Sequence, residues 1–269
     1  MIQNDPGFVE LSLERVGEVF DAEELVYAMR ANKTVKHVCF SGTFVRELTP
    51  IQLRIMLEGV GHLETLEELQ IWCATIPVST FARMLRNAHR LRKVYFFRVL
   101  LAGSQDDFVE WSESIKSHPA LSDFRFGGIQ AVTETISMDC VIEALADAEH
   151  LQVVSLQLYN SHAVAPFSGR ALARLLSSSS ITDLYLTRLG LSQDHFVTIA
   201  HALTINKTLR VLDLFGNSLA NDQVLLIAQA LQNNEGLERC NPHLLGANFS
   251  NVYWHTAAIF LNVSQLNYH

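Results

Sequence analysis

Residues 199–217 read IAHALTINKTLRVLDLFGN, and two apolar periods meet inside them. Ile199, Ala200 and Leu203 recur at a spacing that shares one face of a helix. Leu209, Leu212 and Leu214 then follow L-x-x-L-x-L, with Asn217 three residues on. The change of period marks a helix giving way to a short strand whose fourth and sixth side chains enter one core. Outward from this stretch the same triplet recurs as Phe8/Leu11/Leu13, Val35/Val38/Phe40, Leu66/Leu69/Ile71, Leu91/Val94/Phe96, Leu121/Phe124/Phe126, Leu151/Val154/Leu156 and Ile181/Leu184/Leu186. A last, damaged copy begins at Leu237. First positions fall 25 to 31 residues apart. In-phase copies of one strand–helix unit are the mark of an α/β solenoid, in which each unit buries its apolar face against its neighbours.

Helix starts punctuate the units. Asp21-Ala22-Glu23-Glu24 reads as a capping box, Thr49-Pro50 as an N-cap followed by proline at the first helical position, and Ser192 and Asn221 as further caps. The Asp106-Asp107 and Glu23-Glu24 pairs sit at helix starts, where anions are stabilised. Asn32-Lys33-Thr34 and Asn206-Lys207-Thr208 recur at the same place in the unit, so they read as repeat elements and not as glycosylation acceptors.

The segment Ile199–Asn217 resembles the ribonuclease-inhibitor-like class of leucine-rich repeats, and the resemblance extends over roughly residues 8–240. It implies a horseshoe of about eight repeats, with a concave parallel sheet and convex helices, and a chain that binds protein. One feature departs from the family. The asparagine after the strand stands at Asn217 alone, and Thr43, Ala74, Val99, Ile129, Tyr159 and Leu189 replace it elsewhere. That asparagine normally satisfies backbone groups where the chain leaves the strand, so looser turns are expected in the other copies.

No Pro/Gly/Ser-rich linker divides the chain. Residues 1–269 are expected to form one domain, with 1–34 as an N-terminal cap and first repeat, 35–236 as repeats and 237–269 as a C-terminal cap. The net charge of −8 and pI of about 5.7 disfavour a nucleic-acid or anionic-membrane partner. The first residues carry no basic n-region and no apolar h-region, and Cys39, Cys73, Cys140 and Cys240 form no CxxC pair. The expected compartment is the cytoplasm or nucleus, with reduced thiols.

Third, fifth and seventh positions of each strand point away from the core, and equal positions of parallel strands stack into columns. The fifth-position column includes Tyr95, Arg125, Tyr185 and Asp213; the seventh includes Ser41, Trp72, Phe97 and Phe215. Two clusters follow, Trp72/Tyr95/Phe97/Arg125 and Tyr185/Asp213/Phe215. Exposed aromatics beside arginine are the usual composition of protein-binding hot spots, so these seven residues are the candidate partner-binding set. Covering loops, or a one-residue register slip that turns the rings inward, are the alternatives. No P-loop, G-x-G-x-x-G, H-E-x-x-H or G-x-S-x-G occurs. No enzyme activity, metal or cofactor is expected, and the oligomeric state is left open. His62, His89, His118, His150 and His201 fall near helix C-termini, which favours an electrostatic role. A GTPase-activating protein of the same repeat type is the competing reading. It requires an exposed rim arginine, and Arg98 and Arg188 at eighth positions are its candidates.

Overall fold

The computed structural model describes residues 9–15, 20–131, 136–158, 167–217, 219–232 and 234–241. Phe8, Tyr159 and the expected C-terminal cap beyond residue 241 lie outside this set. Two compact units are present, Met1–Ile136 with Ala148–Leu151 and Ser137–Asp147 with Gln152–His269.

The first unit runs β1 (Glu10–Leu13), α1 (Ala22–Ala31), β2 (His37–Phe40), α2 (Gly42–Glu47), α3 (Pro50–Gly61), β3 (Glu68–Trp72), β4 (Thr75–Pro77), α4 (Val78–Asn87), β5 (Lys93–Phe97), β6 (Leu100–Ala102), α5 (Gln105–Lys116) and β7 (Asp123–Ala131). Its main sheet is parallel in the order β1-β2-β3-β5-β7. The second unit runs α6 (Asp139–Asp147), β8 (Val153–Leu158), α7 (Gly169–Leu176), β9 (Asp183–Thr187), α8 (Gln193–Ile205), β10 (Val211–Asp213), α9 (Asn221–Leu231) and β11 (Arg239–Asn241), with parallel order β8-β9-β10-β11.

The apolar triplets are the rungs. Register pairs Val38 with Leu69, Leu69 with Val94 and Val94 with Phe124 in the first unit, and Val154 with Leu184 and Leu184 with Leu212 in the second. The triplet begun at Leu237 holds the same phase, with Leu212 opposite Cys240. Leu69, Leu184 and Leu212 are fully buried. Helices cover that side of the sheet: Phe81 of α4 meets Phe96 of β5 at 4.8 Å between ring centroids, and Trp111 of α5 meets Phe126 of β7 at 5.5 Å. Phe196, Ile199, Ala200 and Leu203 form the buried face of α8, as their spacing predicts.

The exits from the strands differ from expectation. Asn217 is buried and satisfies main-chain groups where the chain leaves the strand, as the resemblance implies. Its Nδ2 donates to Leu186 O (2.6 Å) and Leu214 O (2.9 Å), and its Oδ1 accepts from Leu189 N–H (2.9 Å). Where Ala74 and Val99 replace it, the turns are not looser. The chain instead forms a second parallel ladder, in which β4 pairs with β6 and β6 with the far half of β7. Main chain takes over from side chain in satisfying main chain, with Leu100 N–H donating to Ala74 O (2.8 Å). At Thr43 the substitute is α2, whose N-cap is Ser41. Ser41 is therefore a helix cap, accepting from Phe44 N–H at 3.3 Å, and not a strand residue.

A second recurrent device closes four of the helices, α1, α5, α8 and α9, onto the next strand. Asn206 Oδ1 accepts from Thr208 and Leu209 N–H (2.9 and 2.8 Å), Asn32 Oδ1 from Thr34 and Val35 N–H (2.8 and 2.7 Å), and Asn234 Oδ1 from Gly236 and Leu237 N–H (3.0 and 2.8 Å). His118 occupies the same place before β7. Its Nδ1 accepts from Ala120 and Leu121 N–H (3.2 and 3.1 Å), and its Nε2–H donates to Ala88 O (3.0 Å). It is an imidazole standing in for an amide, not a cation on a helix dipole. The caps hold with small changes. Thr49 and Gln52 complete a capping box, Asp21 accepts from Glu23 and Glu24 N–H, His195 fills the N3 place of the Ser192 box, and the N-cap of α9 is Ala220 where Asn221 was expected.

Two outcomes are expected. Asn217→Ala strands buried donors and acceptors and lowers stability in urea unfolding by about 2–3 kcal/mol; a loss under about 0.5 kcal/mol contradicts the assignment. Burial pushes the His118 pKa below its ordinary 6.5. The unfolded chain then takes the proton first as pH falls, so the His118 contribution is intact above about 6.5 and is lost progressively below it. His118→Asn keeps the acceptor and should show less acid destabilisation than the parent chain, whereas His118→Ala should be weaker at every pH.

Candidate functional site

The sheet face opposite the helices carries the candidate residues in the predicted columns. In the first unit, register sets Glu68 beside Lys93 and Asp123, Gln70 beside Tyr95 and Arg125, and Trp72 beside Phe97 and Gly127. Trp72 and Phe97 are 38% and 41% exposed, so these two rings are neither turned inward nor covered by any described loop. Their centroids lie 4.6 Å apart with the planes inclined at 47°, in the range of favourable aromatic pairing. Gly127 completes the row because a Cβ there would stand 3.1 Å from Phe97 Cδ2. The missing side chain lets the ring lie against the next strand.

The neighbouring column is held by charge. Arg125 clamps Asp123 with two bonds, Nε to Oδ1 at 2.8 Å and Nη2 to Oδ2 at 2.9 Å. Its guanidinium carbon also stands 5.2 Å from the Tyr95 ring centroid, and the Tyr95 hydroxyl donates to Asp123 Oδ2 at 3.1 Å. Burial and the Asp123 charge push the Tyr95 phenol up to about 12. Tyr95 is thus a fixed neutral wall beside the Trp72/Phe97 shelf. Cys39, on the same face of β2, is half-buried; burial and the Glu10 carboxylate raise its pKa, which keeps it protonated.

The second unit brings Tyr185 and Asp213 side by side on β9 and β10. Phe215 lies just past the end of β10, in the turn, where Asp213 Oδ1 accepts its N–H at 2.8 Å. Its ring is half-buried, with the Arg188 guanidinium carbon 5.5 Å from the centroid.

The eighth position holds a feature that the side-chain columns do not announce. Cys73, Arg98 and Arg188 are non-glycine residues with φ of 54°, 56° and 52°, and Gly128 and Gly216 share the left-handed conformation at φ 84° and 73°. This rotation points the eighth N–H at the adjacent strand's seventh carbonyl, as Cys73 to Phe97 O (2.8 Å), Arg98 to Gly127 O and Arg188 to Phe215 O (2.8 Å). Glycines at some copies of this position were the only available sign of it. Among the described residues no three His, Cys, Asp or Glu side chains gather as metal ligands, and no helix is long and apolar enough to cross a membrane.

No protein-family model matches the sequence, and no curated protein does. Remote likeness to solved structures is found. The tropomodulin C-terminal domain of Caenorhabditis elegans is 13% identical, over 59% of this chain and 91% of that one, with a TM-score of 0.46. The yeast Rad7–Elc1 complex matches at 11% identity, over 91% and 75%, with a TM-score of 0.41. A TLR13–ssRNA13 complex matches at 12% identity, over 79% and 37%, with a TM-score of 0.37.

Asp123→Asn removes the charge that opposes Tyr95 ionisation. A Tyr95-resolved NMR titration should then find its pKa moved down from about 12 towards the ordinary 10; an unmoved value contradicts the clamp.

Proposed function

We propose that this chain is a protein-binding scaffold of the ribonuclease-inhibitor-like repeat class, which docks a protein partner on the sheet face opposite its helices. The observation that carries the reading is the adjacent pair Trp72 and Phe97, two large rings left more than a third exposed on a rigid sheet. Exposing large aromatics is costly on a free surface and rewarding at a contact, where rigid rings lose little conformational freedom. Arg125 and Tyr95, locked by Asp123, give the shelf a polar border, and Tyr185, Asp213 and Phe215 form a separate patch on the second unit. No residue is given a catalytic role. The site is a surface that holds, with no cofactor or metal in its chemistry.

Cross-linking and pull-down with the purified chain, followed by affinity measurement on the captured partner, test this. Trp72→Ala and Phe97→Ala should keep the cooperative unfolding transition and weaken capture by about tenfold or more, the scale of a hot-spot truncation. Unchanged affinity would remove the site. Collapse of the fold in either variant would make the rings core residues instead.

A further inference from the structure

Arg188 stands where glycine is the natural choice. Its φ of 52° is a conformation that costs a non-glycine residue strain, and Gly216, at the same position of the next repeat, adopts φ 73° with none. The arginine side chain is nonetheless tightly placed. It lies across Gly216, where an added Cβ would fall 2.5 Å from Arg188 Cγ, and its guanidinium carbon rests 5.5 Å from the centroid of Phe215. The backbone beneath is fixed by the Arg188 N–H bond to Phe215 O. The head group is left over. Arg125, Arg174 and Arg210 each reach a carboxylate, to Asp123, Asp147 and Glu238, whereas no carboxylate among the described residues pairs with the exposed Arg188.

We infer that Arg188, backed by Phe215, is a subsite for a single carboxylate, that of an aspartate or glutamate beside an apolar residue in an extended segment of the protein partner. This rests on the docking reading above and specifies its chemistry on the second unit. A guanidinium stacked on a ring keeps its N–H edges free in a planar fork that matches a carboxylate. One cation balances one negative charge. The chain's net charge of −8 disfavours a dianionic phosphate or a polyanion. The half-buried ring of Phe215 supplies the apolar wall for the adjoining residue.

The full chain is tested on an array of extended peptides in three matched series, which carry glutamate, glutamine or phosphoserine next to leucine or phenylalanine. Binding is read beside thermal unfolding for the parent chain, Arg188→Gly and Arg188→Gln. Glutamate peptides should bind more tightly than their glutamine partners by about two- to fivefold, the scale of one exposed ion pair. That preference should vanish in both variants. Arg188→Gly should not lower Tm, because glycine relieves the strained φ. Equal retention of glutamate and glutamine series overturns the carboxylate subsite while leaving docking intact. Stronger retention of phosphoserine overturns the single-charge argument. Retention of no series removes the docking reading and the subsite together. A drop in Tm for Arg188→Gly with the glutamate preference unchanged makes the arginine a structural brace and overturns the inference.

Discussion

Every repeat must bring its backbone off a buried strand without leaving N–H and C=O groups unpaired, and the rest of the structure depends on how that is done. An unpaired buried peptide group costs on the order of 1–3 kcal/mol, and the problem recurs at each strand end. A left-handed eighth residue gives the first half of the answer at several exits. It aims its N–H at the adjacent strand and so ties those exits to the next, as Cys73 does to Phe97 and Arg188 to Phe215. The second half varies along the chain. Asn217 supplies a buried amide, the Ala74 and Val99 exits supply a second parallel ladder, and the Thr43 exit supplies a short helix. One constraint is met three ways, so an asparagine after the strand is not required at most copies.

The same accounting holds at the other end of each strand. Asn32, Asn206 and Asn234 receive two consecutive N–H groups each, and His118 does so with a ring nitrogen. The requirement is for an acceptor of the right reach, preferably with a donor directed at the preceding repeat. Asparagine meets it without titrating. Histidine meets it only while neutral, which makes the acid stability of the first unit sensitive to one side chain. With strand ends secured in these ways, fifth and seventh positions are fixed in columns. Trp72 and Phe97 can then stand on the open face without a covering layer.

Much of this is legible in the sequence, because period and register follow from geometry. Triplets such as Ile181/Leu184/Leu186 and Leu209/Leu212/Leu214 name the buried rungs, and alternation then names the open face, Trp72, Tyr95, Phe97 and Arg125 included. The exits are less legible. Thr75-Ile76-Pro77 is too short for a period, and a proline argues against a strand in isolation, yet it pairs with Leu100–Ala102. The six-residue helix Gly42–Glu47 opens on a glycine, and its cap Ser41 falls in phase with the strand columns. Arg98 and Arg188 give no local sign of positive φ, because the need for it is imposed by the neighbouring strand. The locked state of Tyr95 and the ring beneath Arg188 likewise come from residues 28 and 27 positions away, Asp123 and Phe215.

Amide hydrogen exchange in Asn217→Ala tests the central claim most directly. Leu189 N–H, which donates to Asn217 Oδ1, should lose its protection, while Leu100 N–H, held by Ala74 O in the second ladder, should keep it. Undiminished protection at Leu189, or loss at both amides together, would contradict the view that each strand exit is secured by its own local device.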